Sequence, residues 1–518
     1  MSAQNLRRIS LLSAVAIAAA IGTAGASARS TGDTQAGYTL TLGTALSLTG
    51  ESGVFGPPFQ KGAEIAASIA NDALKKAGVA VTVKVISADD GSRPDTAVAA
   101  SRKLIADGAN CVLGHIQSAN TIATANAATI PAGIPQIAPA STSALVTDLN
   151  DNGLVFRIAP SDVLQGPVLA AAIRQEIGAG KTLSFAARND AFGAGLIRAT
   201  EQAWLNKLGG KSTGRPVLYD PLAASYDSEA LKIVSGNPDA FVILDFPATY
   251  AKVGAALLRT GKFDATRLFI GGGQPSTIPS FVPRESMEGA RGTRPAVPLG
   301  AALTRAYDAL FDRSPGTKER QSLDVNEFDA AITCILASVA AKSNNGRAIA
   351  NQLRRISAPP GEKFTFLKLV DAFKALSAGK DIDYEGVAGS IDWDQNGDPA
   401  SATYDFYKYI NATLTPQRQY RNLRGRVLRL DLTPPTDPRV RLSVKGNRVT
   451  FRINSSDPGR TSPPVTLRCA LDKQEFRACK ATLTRRVSSG KHVFHVFATD
   501  AQDNRSATTH VRFELKKK

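Results

Sequence analysis

Short β-type runs alternate with helical segments over most of the chain, from Thr39 to about Thr415. Such regular alternation predicts parallel sheets with helices on both faces, because each parallel strand needs a crossover helix to return the chain. The pattern occurs in two sets, and two sets indicate two α/β lobes with a cleft between them. The predicted elements cover residues 40–46, 58–77, 79–87, 94–107 and 111–114 in the first set, and 183–187, 192–208, 240–245, 250–260 and 268–271 in the second.

The last part of the chain has a different pattern. Beyond the proline-containing stretch 432–438, helical segments disappear and short alternating runs follow, separated by Gly, Pro, Asn and Asp. This spacing is typical of a small all-β sandwich. The predicted tail strands cover residues 439–444, 448–453, 466–471, 492–499 and 510–515, and the expected organisation is a signal peptide at 1–28, a two-lobed domain at 38–415, a basic linker at 416–432 and the sandwich at 433–518.

The first residues are typical of an export signal. Arg7 and Arg8 precede an apolar run at 11–21, and the small residues 26–28 form a cleavage site. A membrane anchor is the alternative, but the apolar run is about half of the ~20 residues needed to span a bilayer. No cysteine precedes Cys111, so a lipid attached at a cleavage-site cysteine is not expected. We expect an exported protein of the periplasm or the cell surface that is not a lipoprotein.

The four cysteines are expected to form one disulfide. Cys111 lies in an apolar run and Cys334 in an apolar helical segment, both typical of buried free thiols, so we expect these two to be unpaired. Cys469 and Cys479 are ten residues apart in a polar, strand-rich region, where a hairpin can bring them together. The predicted disulfide is therefore Cys469–Cys479.

The formal net charge of +17 is concentrated in the tail. Residues 416–518 hold 23 Lys and Arg against 8 Asp and Glu, whereas the rest of the chain holds 39 against 37. This surplus favours an anionic partner for the tail, such as a cell-wall polyanion or phospholipid head groups. Nucleic acid is not expected, because the basic residues lie on predicted strands without a set of aromatic side chains for stacking.

Residue patterns for catalysis are sparse. The chain has no Gly-x-Ser-x-Gly motif, and three of its four histidines lie in the tail. His492 and His495 have no cysteine or acid at metal-ligand spacing. We therefore expect a protein that is not an enzyme and that uses no metal or cofactor.

The loops that follow the first-lobe strands are rich in hydroxyl groups. Ser118 follows the predicted strand 111–114, and Ser141 and Thr142 follow residues 134–137. Ligands of parallel α/β sheets bind at the carboxyl ends of strands, and hydroxyls with backbone N–H groups can bind a carboxylate there. The alternative is that these residues only cap helices, where Ser and Thr are favoured.

A series of short motifs follows one another from about residue 38 to 412. The motifs are Leu48-Thr49-Gly50, Phe55-Gly56, Gly62-Ala63-Glu64, Asp89-Asp90, Pro94, Gly114-His115, Pro135, Pro139, Phe156-Arg157, Asp162, Gln165-Gly166, Phe192-Gly193 and Asp392-Trp393-Asp394-Gln395-Asn396-Gly397-Asp398. No single motif is decisive, but their joint order is specific. In this order the chain resembles the branched-chain amino-acid-binding proteins of ABC importers, which have the type I periplasmic-binding fold.

The resemblance implies two lobes, joined by three crossings, that shut on a ligand by hinge motion. It places three groups of residues at the cleft. The carboxylate and amino contacts of the first lobe correspond to Ser118, Ser141 and Thr142, the aromatic walls to Phe55 and Phe192, and a further aromatic lid residue to Phe246, with Asp162 near the cleft.

One position departs from this resemblance. Binders of aliphatic amino acids place an acidic residue after the strand that corresponds to 268–271, where it neutralises the ammonium group of the ligand, and this chain has Gly273 there. Leaving a buried ammonium unpaired costs several kcal/mol, so either another acid replaces it or the ligand is not a standard zwitterion. Asp245 and Asp162 are the nearest candidates for that role.

The function that the resemblance implies is capture of an amino-acid-like solute outside the cytoplasm and its delivery to an ABC permease. The tail resembles the Ig-like modules of bacterial surface proteins, through Cys469-Ala470-Leu471-Asp472, Cys479 and Gly490-Lys491-His492-Val493-Phe494. A ligand-sensing or adhesive surface protein that uses the same lobes is therefore the alternative.

Overall fold

The computed structural model describes residues 37–296, 302–423, 426–429, 435–458, 465–499 and 505–516. The predicted signal peptide at 1–28 lies outside the described residues. Among the described residues, none of the helices combines the length and the apolar character needed to cross a bilayer.

The first lobe is built around a five-stranded parallel sheet in the order β2-β1-β3-β4-β5. The elements are β1 (Tyr38–Leu46), α1 (Gly56–Ala77), β2 (Val81–Asp89), α2 (Pro94–Ala106), β3 (Cys111–Leu113), α3 (Ser118–Thr124), α4 (Ile130–Ala132), β4 (Gln136–Ala138), α5 (Ala144–Thr147) and β5 (Val155–Arg157). Residues of α1 show why the sequence folds this way locally. Prolines at its first turn fit a helix start, and Gly78, at φ +73°, ends it in the left-handed conformation.

The second lobe has a larger mixed sheet in the order β17-β16-β15-β11-β10-β9-β6-β7, and β8 also pairs with β6. Its first elements are α6 (Asp162–Ile177), β6 (Thr182–Arg188), α7 (Ala191–Gln202), β7 (Lys211–Ser212), β8 (Val217–Tyr219), α8 (Asp227–Ile233), β9 (Ala240–Leu244), α9 (Pro247–Arg259), β10 (Leu268–Ile270) and β11 (Arg291–Pro295).

The chain then returns to the first lobe before it completes the second. The returning elements are α10 (Ala302–Arg313), α11 (Asp324–Ala341), α12 (Gly346–Leu353), β12 (Glu362–Phe364), α13 (Leu369–Ser377), β13 (Ile382–Gly386) and β14 (Gly389–Ser390). The last elements of the second lobe are the antiparallel strands β15 (Ser401–Ile410), β16 (Thr413–Leu423) and β17 (Arg426–Arg429). The chain thus crosses between the lobes after β5, after β11 and after β14, which confirms the three expected crossings.

A second disulfide contradicts our expectation for two cysteines. Cys111 on β3 and Cys334 on α11 are bonded, with their Cα atoms 6.7 Å apart. We expected both to be free because each lies in an apolar segment, and both are indeed fully buried. That expectation was wrong because α11, which is 223 residues further along the chain, packs against the sheet of the first lobe. An apolar local sequence predicts that a cysteine is buried, but it does not predict which other cysteine lies beside it.

The expected basic linker at 416–432 also needs correction. Residues 416–423 belong to β16 and residues 426–429 form β17, so these two stretches extend the sheet of the second lobe, and the other residues of 416–432 lie outside the described residues. We assigned a linker from its positive charge and the absence of a helical pattern. However, several positions of β16 are buried, including Leu414, Tyr420 and Asn422. Of its basic residues, Arg421 is exposed, and Arg418 is partly buried and pairs with Glu176 of the second lobe.

The tail folds into two sheets that share one core. Three strands pair in the order β18-β19-β22 and four in the order β21-β20-β23-β24. Phe451 and Phe494, from different sheets, stack with their ring centroids 3.9 Å apart, and the predicted disulfide Cys469–Cys479 is present. The strands are β18 (Arg439–Lys445), β19 (Arg448–Asn454), β20 (Thr466–Leu471), β21 (Arg477–Cys479), β22 (Thr482–Arg486), β23 (Gly490–Thr499) and β24 (Thr509–Leu515). An all-β region beyond the lobes is therefore confirmed.

Candidate functional site

A cavity of about 40 Å³ lies between the two lobes. A single water needs roughly 10–15 Å³, so the lobes are close together around this space. Both lobes and the segments between them contribute to its wall. The lining residues are Phe55, Phe59, Ile116, Ser118, Ala140 and Thr142 of the first lobe, Gln165, Phe192, Phe246, Gly272 and Gly273 of the second, and Pro295, Ser322 and Leu323 near the second crossing.

The first-lobe wall carries neutral polar groups. Ser118 is the first residue of α3, and its hydroxyl accepts a hydrogen bond from the backbone N–H of Ser143 at 3.2 Å. The Thr142 hydroxyl is buried and makes no well-aligned hydrogen bond with the described residues, but it lies close enough to Asp162 to lower the pKa of that carboxyl. Both hydroxyls therefore lie beyond the carboxyl ends of β3 and β4, where the sequence predicted them, Ser118 at the start of α3 and Thr142 on the loop after β4.

Ser141 differs from its two predicted partners. Its hydroxyl lies 2.6 Å from that of Thr121 and donates to the carbonyl oxygen of His115 at 3.0 Å. Ser141 is also not among the residues that line the cavity. Its side chain therefore ties together two loops of the first lobe.

The second-lobe wall is aromatic. The rings of Phe192 and Phe246 stack with their centroids 4.9 Å apart and their planes at 15°. The guanidinium of Arg188 lies 4.4 Å from the centroid of Phe246, at cation–π distance. With Phe55 from the first lobe, these rings give the cavity a largely apolar lining.

Gly273 lies against this aromatic wall. A Cβ atom at position 273 would be 2.9 Å from the carbonyl oxygen of Asp245 and 3.1 Å from two ring carbons of Phe192. Both distances are shorter than ordinary van der Waals contact. The Phe192 ring thus occupies the space that a side chain at position 273 would need, and the acid of the related binders has no equivalent there.

Asp245, at the end of β9, is one of the two candidate replacements. It accepts hydrogen bonds from the Tyr219 hydroxyl and from the backbone N–H of Phe246, both at 2.8 Å, and Arg188 lies 3.6 Å away. Burial raises the pKa of Asp245 to about 7, although Arg188 opposes the shift. Its carboxylate is therefore engaged within the second lobe, and it does not line the cavity.

Asp162, the first residue of α6, is the other candidate. It is fully buried, and neither of its carboxylate oxygens makes a well-aligned hydrogen bond with the described residues, although the Thr142 hydroxyl is close to them. Asp162 itself does not line the cavity, but its backbone N–H donates to the carbonyl oxygen of Thr142 at 2.7 Å, and both Thr142 and Gln165, one helical turn later, do line it. Burial raises the pKa of Asp162 to about 7, against the opposing influence of the Thr142 hydroxyl and the Arg157 guanidinium.

A charged bridge between the lobes was not predicted. Arg188 of the second lobe binds both carboxylate oxygens of Glu51 of the first lobe, at 2.7 and 3.1 Å. Gln117 of the first lobe donates to Glu51 at 2.7 Å, and Thr249 of the second lobe lies 3.3 Å from the same carboxylate. No local signal marks this pair, because the two residues are 137 positions apart and each lies in an ordinary loop or strand end.

The family model for periplasmic binding proteins matches residues 39–412. Since this range is most of the chain, the protein belongs to the periplasmic binding protein family.

Relatives with known names agree with this assignment. The chain is 26% identical over 412 residues to Leu/Ile/Val-binding protein homolog 1 of Brucella suis biovar 1, which covers 78% of this chain and 96% of that protein. It is 37% identical over 182 residues to the amino acid binding protein of Pseudomonas aeruginosa, which covers 35% of this chain and 46% of that protein, so this chain spans under half the length of that relative.

A solved structure shows the same fold. The branched-chain amino acid transporter substrate binding protein LivJ from Streptococcus pneumoniae, in complex with isoleucine, matches with a TM-score of 0.58 and 16% identity, covering 76% of this chain and all of that one. At this identity the likeness bears on the two-lobed fold alone.

Proposed function

We propose that this protein captures an amino-acid-like solute outside the cytoplasm and delivers it to an ABC importer. One observation carries the proposal. Hydroxyls of the first lobe and phenyl rings of the second, which are far apart in sequence, line one interlobe cavity, and the cavity also receives Phe55. A mostly apolar cleft with a few polar groups suits a small molecule with an apolar body and one polar end.

The hydroxyls of Ser118 and Thr142 are proposed to receive the carboxylate of the ligand. Thr142 supports this role because its hydroxyl is buried and makes no well-aligned hydrogen bond among the described residues, although Asp162 is close to it. A buried hydroxyl without a well-aligned partner is costly unless a ligand supplies one. The stacked rings of Phe192 and Phe246 are proposed to contact the apolar side group.

The cationic group of the ligand is proposed to pair with Asp162. Gly273 has no side chain, and Asp245 is held by Tyr219 and Arg188. Asp162, in contrast, has two buried oxygens without a well-aligned hydrogen bond among the described residues, and the neutral Thr142 hydroxyl is close to them. A ligand ammonium at this position would stabilise the ionised carboxylate and offset the cost of burying it.

Thermal-shift measurements test the proposal directly. Leucine, isoleucine, valine and phenylalanine are compared with analogues that lack the carboxylate or the ammonium group. A ligand at about 100 times its Kd stabilises the folded state by about 2.7 kcal/mol and raises the melting temperature. We expect Ser118→Ala with Thr142→Ala to abolish the shift, and Ser141→Ala to lower the basal melting temperature but keep the shift. Full affinity in the double variant would refute the assignment of the carboxylate site.

Delivery to an importer is tested in cells. Deletion of the gene should reduce uptake of the radiolabelled ligand identified by the thermal-shift measurements, and the Ser118→Ala with Thr142→Ala variant should not restore it. Unchanged uptake together with a lost behavioural or transcriptional response to the ligand would instead favour the sensing alternative.

A further inference from the structure

One face of the three-stranded tail sheet is strongly basic. The register pairs Arg441 with Arg452 and Lys445 with Arg448, and Arg448 in turn with Arg486. Residues paired in this way share a face, and alternation places Arg439 on the same face. We name this surface the cationic face, and it consists of Arg439, Arg441, Lys445, Arg448, Arg452 and Arg486.

The cationic face points away from the core of the tail. The alternate residues of the same strands, including Val449, Phe451 and Ile453, pack into that core. All six basic residues are exposed. None of them makes an ion pair with a carboxylate among the described residues, and strands β18, β19 and β22 contain no acidic residue.

The pairing of like charges has a physical cost. Basic side chains directly opposite each other on neighbouring strands destabilise a sheet unless an anion lies between them. Here one row of three cations, Lys445, Arg448 and Arg486, crosses all three strands. The other sheet of the tail differs, because its register sets Lys491 opposite Glu514.

From this arrangement we infer that the cationic face binds a linear polyanion with phosphate groups. Five of its six cations are arginines, whose planar guanidinium groups bind phosphate oxygens in a bidentate manner. Ser443, Thr450 and Thr484 lie between the cation rows and add hydroxyl donors. The face is about 20 Å long, from the six residue steps of β18, and about 10 Å wide, from the spacing of three strands.

The same face argues against two other partners. Its positions in the three strands hold only basic, hydroxyl and amide side chains, so no aromatic ring is present to stack on bases. The cationic face has no apolar side chain that could enter a bilayer. Stable binding to a membrane needs buried apolar groups or a lipid chain in addition to basic residues. We place this polyanion in the cell envelope because we propose that the protein is exported. The inference that the cationic face binds a phosphate polyanion does not depend on export.

The test uses the full chain and long-chain inorganic polyphosphate as the probe, with binding followed by fluorescence anisotropy over a salt series. Arg441→Gln, Arg448→Gln and Arg452→Gln together should weaken binding about tenfold or more and reduce the salt slope by about 2, at about 0.7 per lost contact. The matched control carries Arg468→Gln, Arg477→Gln and Arg512→Gln on the other sheet, with the same change in net charge, and should bind nearly as well as the unmodified chain.

A further variant and a folding control separate loss of phosphate contacts from loss of charge and from misfolding. A triple variant with Lys in place of the three arginines keeps the charge and should show intermediate affinity, because the bidentate contacts are lost. Loss of binding without loss of the tail melting transition excludes misfolding as the cause. The inference is overturned if polyphosphate does not bind, if both glutamine variants lose affinity equally, or if vesicles of phosphatidylglycerol or duplex DNA bind more tightly through the same residues.

Discussion

The two lobes contribute different groups to a largely apolar cleft. The first lobe presents the neutral hydroxyls of Ser118 and Thr142 on a framework that the disulfide Cys111–Cys334 joins together. The second lobe has no cysteine and presents phenyl rings in front of a buried charged network around Arg188. The comparison shows that charge can be held behind an apolar wall, where it organises the lobe, while the hydroxyls that line the cleft come from the other lobe.

The largest expected difference between the lobes comes from the disulfide of the first. Cys111→Ala with Cys334→Ala should lower the free energy of unfolding by about 3–5 kcal/mol, because the bond closes a long loop in the unfolded chain. Calorimetry of the unmodified and variant chains measures the effect. Cys469→Ala with Cys479→Ala is the control, with a shorter loop and a smaller expected cost of about 2–3 kcal/mol in the tail. An equal or larger cost for the tail pair would contradict the account.

The second largest expected effect is a dependence of the protein's stability on pH, caused by Asp162. Its pKa is about 7 in the folded state against 3.8 for an ordinary aspartate. A carboxyl whose pKa is raised by folding stabilises the native state at low pH and loses that contribution as pH rises through the folded pKa. The ligand-free protein should therefore lose stability between about pH 4 and pH 7, and Asp162→Asn should flatten part of this decline in melting temperature.

Ionisation of Asp162 should have the opposite effect on ligand binding from its effect on stability. A cationic ligand needs the ionised carboxylate, so affinity should rise as pH rises through about 7. Asp162→Asn should weaken binding and remove this dependence, measured by calorimetric titration. Asp245→Asn is the matched comparison, because Asp245 has the same raised pKa but is held by Tyr219 and Arg188. If Asp245→Asn alone removes the pH dependence of affinity, Asp162 is not the partner of the cation.

Position 273 tests how tightly the aromatic wall is packed. Gly273→Ala should lower the free energy of unfolding by about 1–3 kcal/mol, because the new methyl group meets Phe192 and the Asp245 carbonyl. Phe192→Ala in the same chain should relieve part of this cost, and a double-mutant cycle of denaturant unfolding measures the coupling. Additive effects of the two substitutions would show that the ring does not exclude a side chain there.

Local patterns in the sequence predicted the architecture and part of the cleft. The alternation of strands and helices appears in both lobes, and Phe55, Ser118, Thr142, Phe192 and Phe246 line one cavity as the resemblance placed them. The architecture could be predicted because the alternation of strands and helices is a property of short segments. The three phenylalanines came only from the family resemblance, and the ligand-binding role of all five residues stays a prediction.

Features that depend on distant segments were missed or misassigned. The bond between Cys111 and Cys334 depends on the packing of α11 against the first sheet. The strands at 416–423 and 426–429 were assigned to a linker because this part of the sequence is rich in basic residues. Ser141 was placed with Thr142, yet its hydroxyl is turned toward Thr121. In each case the residues contact another part of the chain, and the sequence around them does not indicate which part that is.

The smallest predicted effect concerns the bridge through which the lobes meet. Glu51→Gln removes one charge from the contact with Arg188 but keeps the shape of the side chain. The closed arrangement should lose about 1 kcal/mol relative to the open one, which lowers ligand affinity about fivefold. Glu64→Gln is the control, because Glu64 contacts Gln60 within the first lobe only. Small-angle scattering of the ligand-free variants should show a larger radius of gyration for Glu51→Gln alone, and unchanged affinity and radius would mean that the bridge does not hold the lobes together.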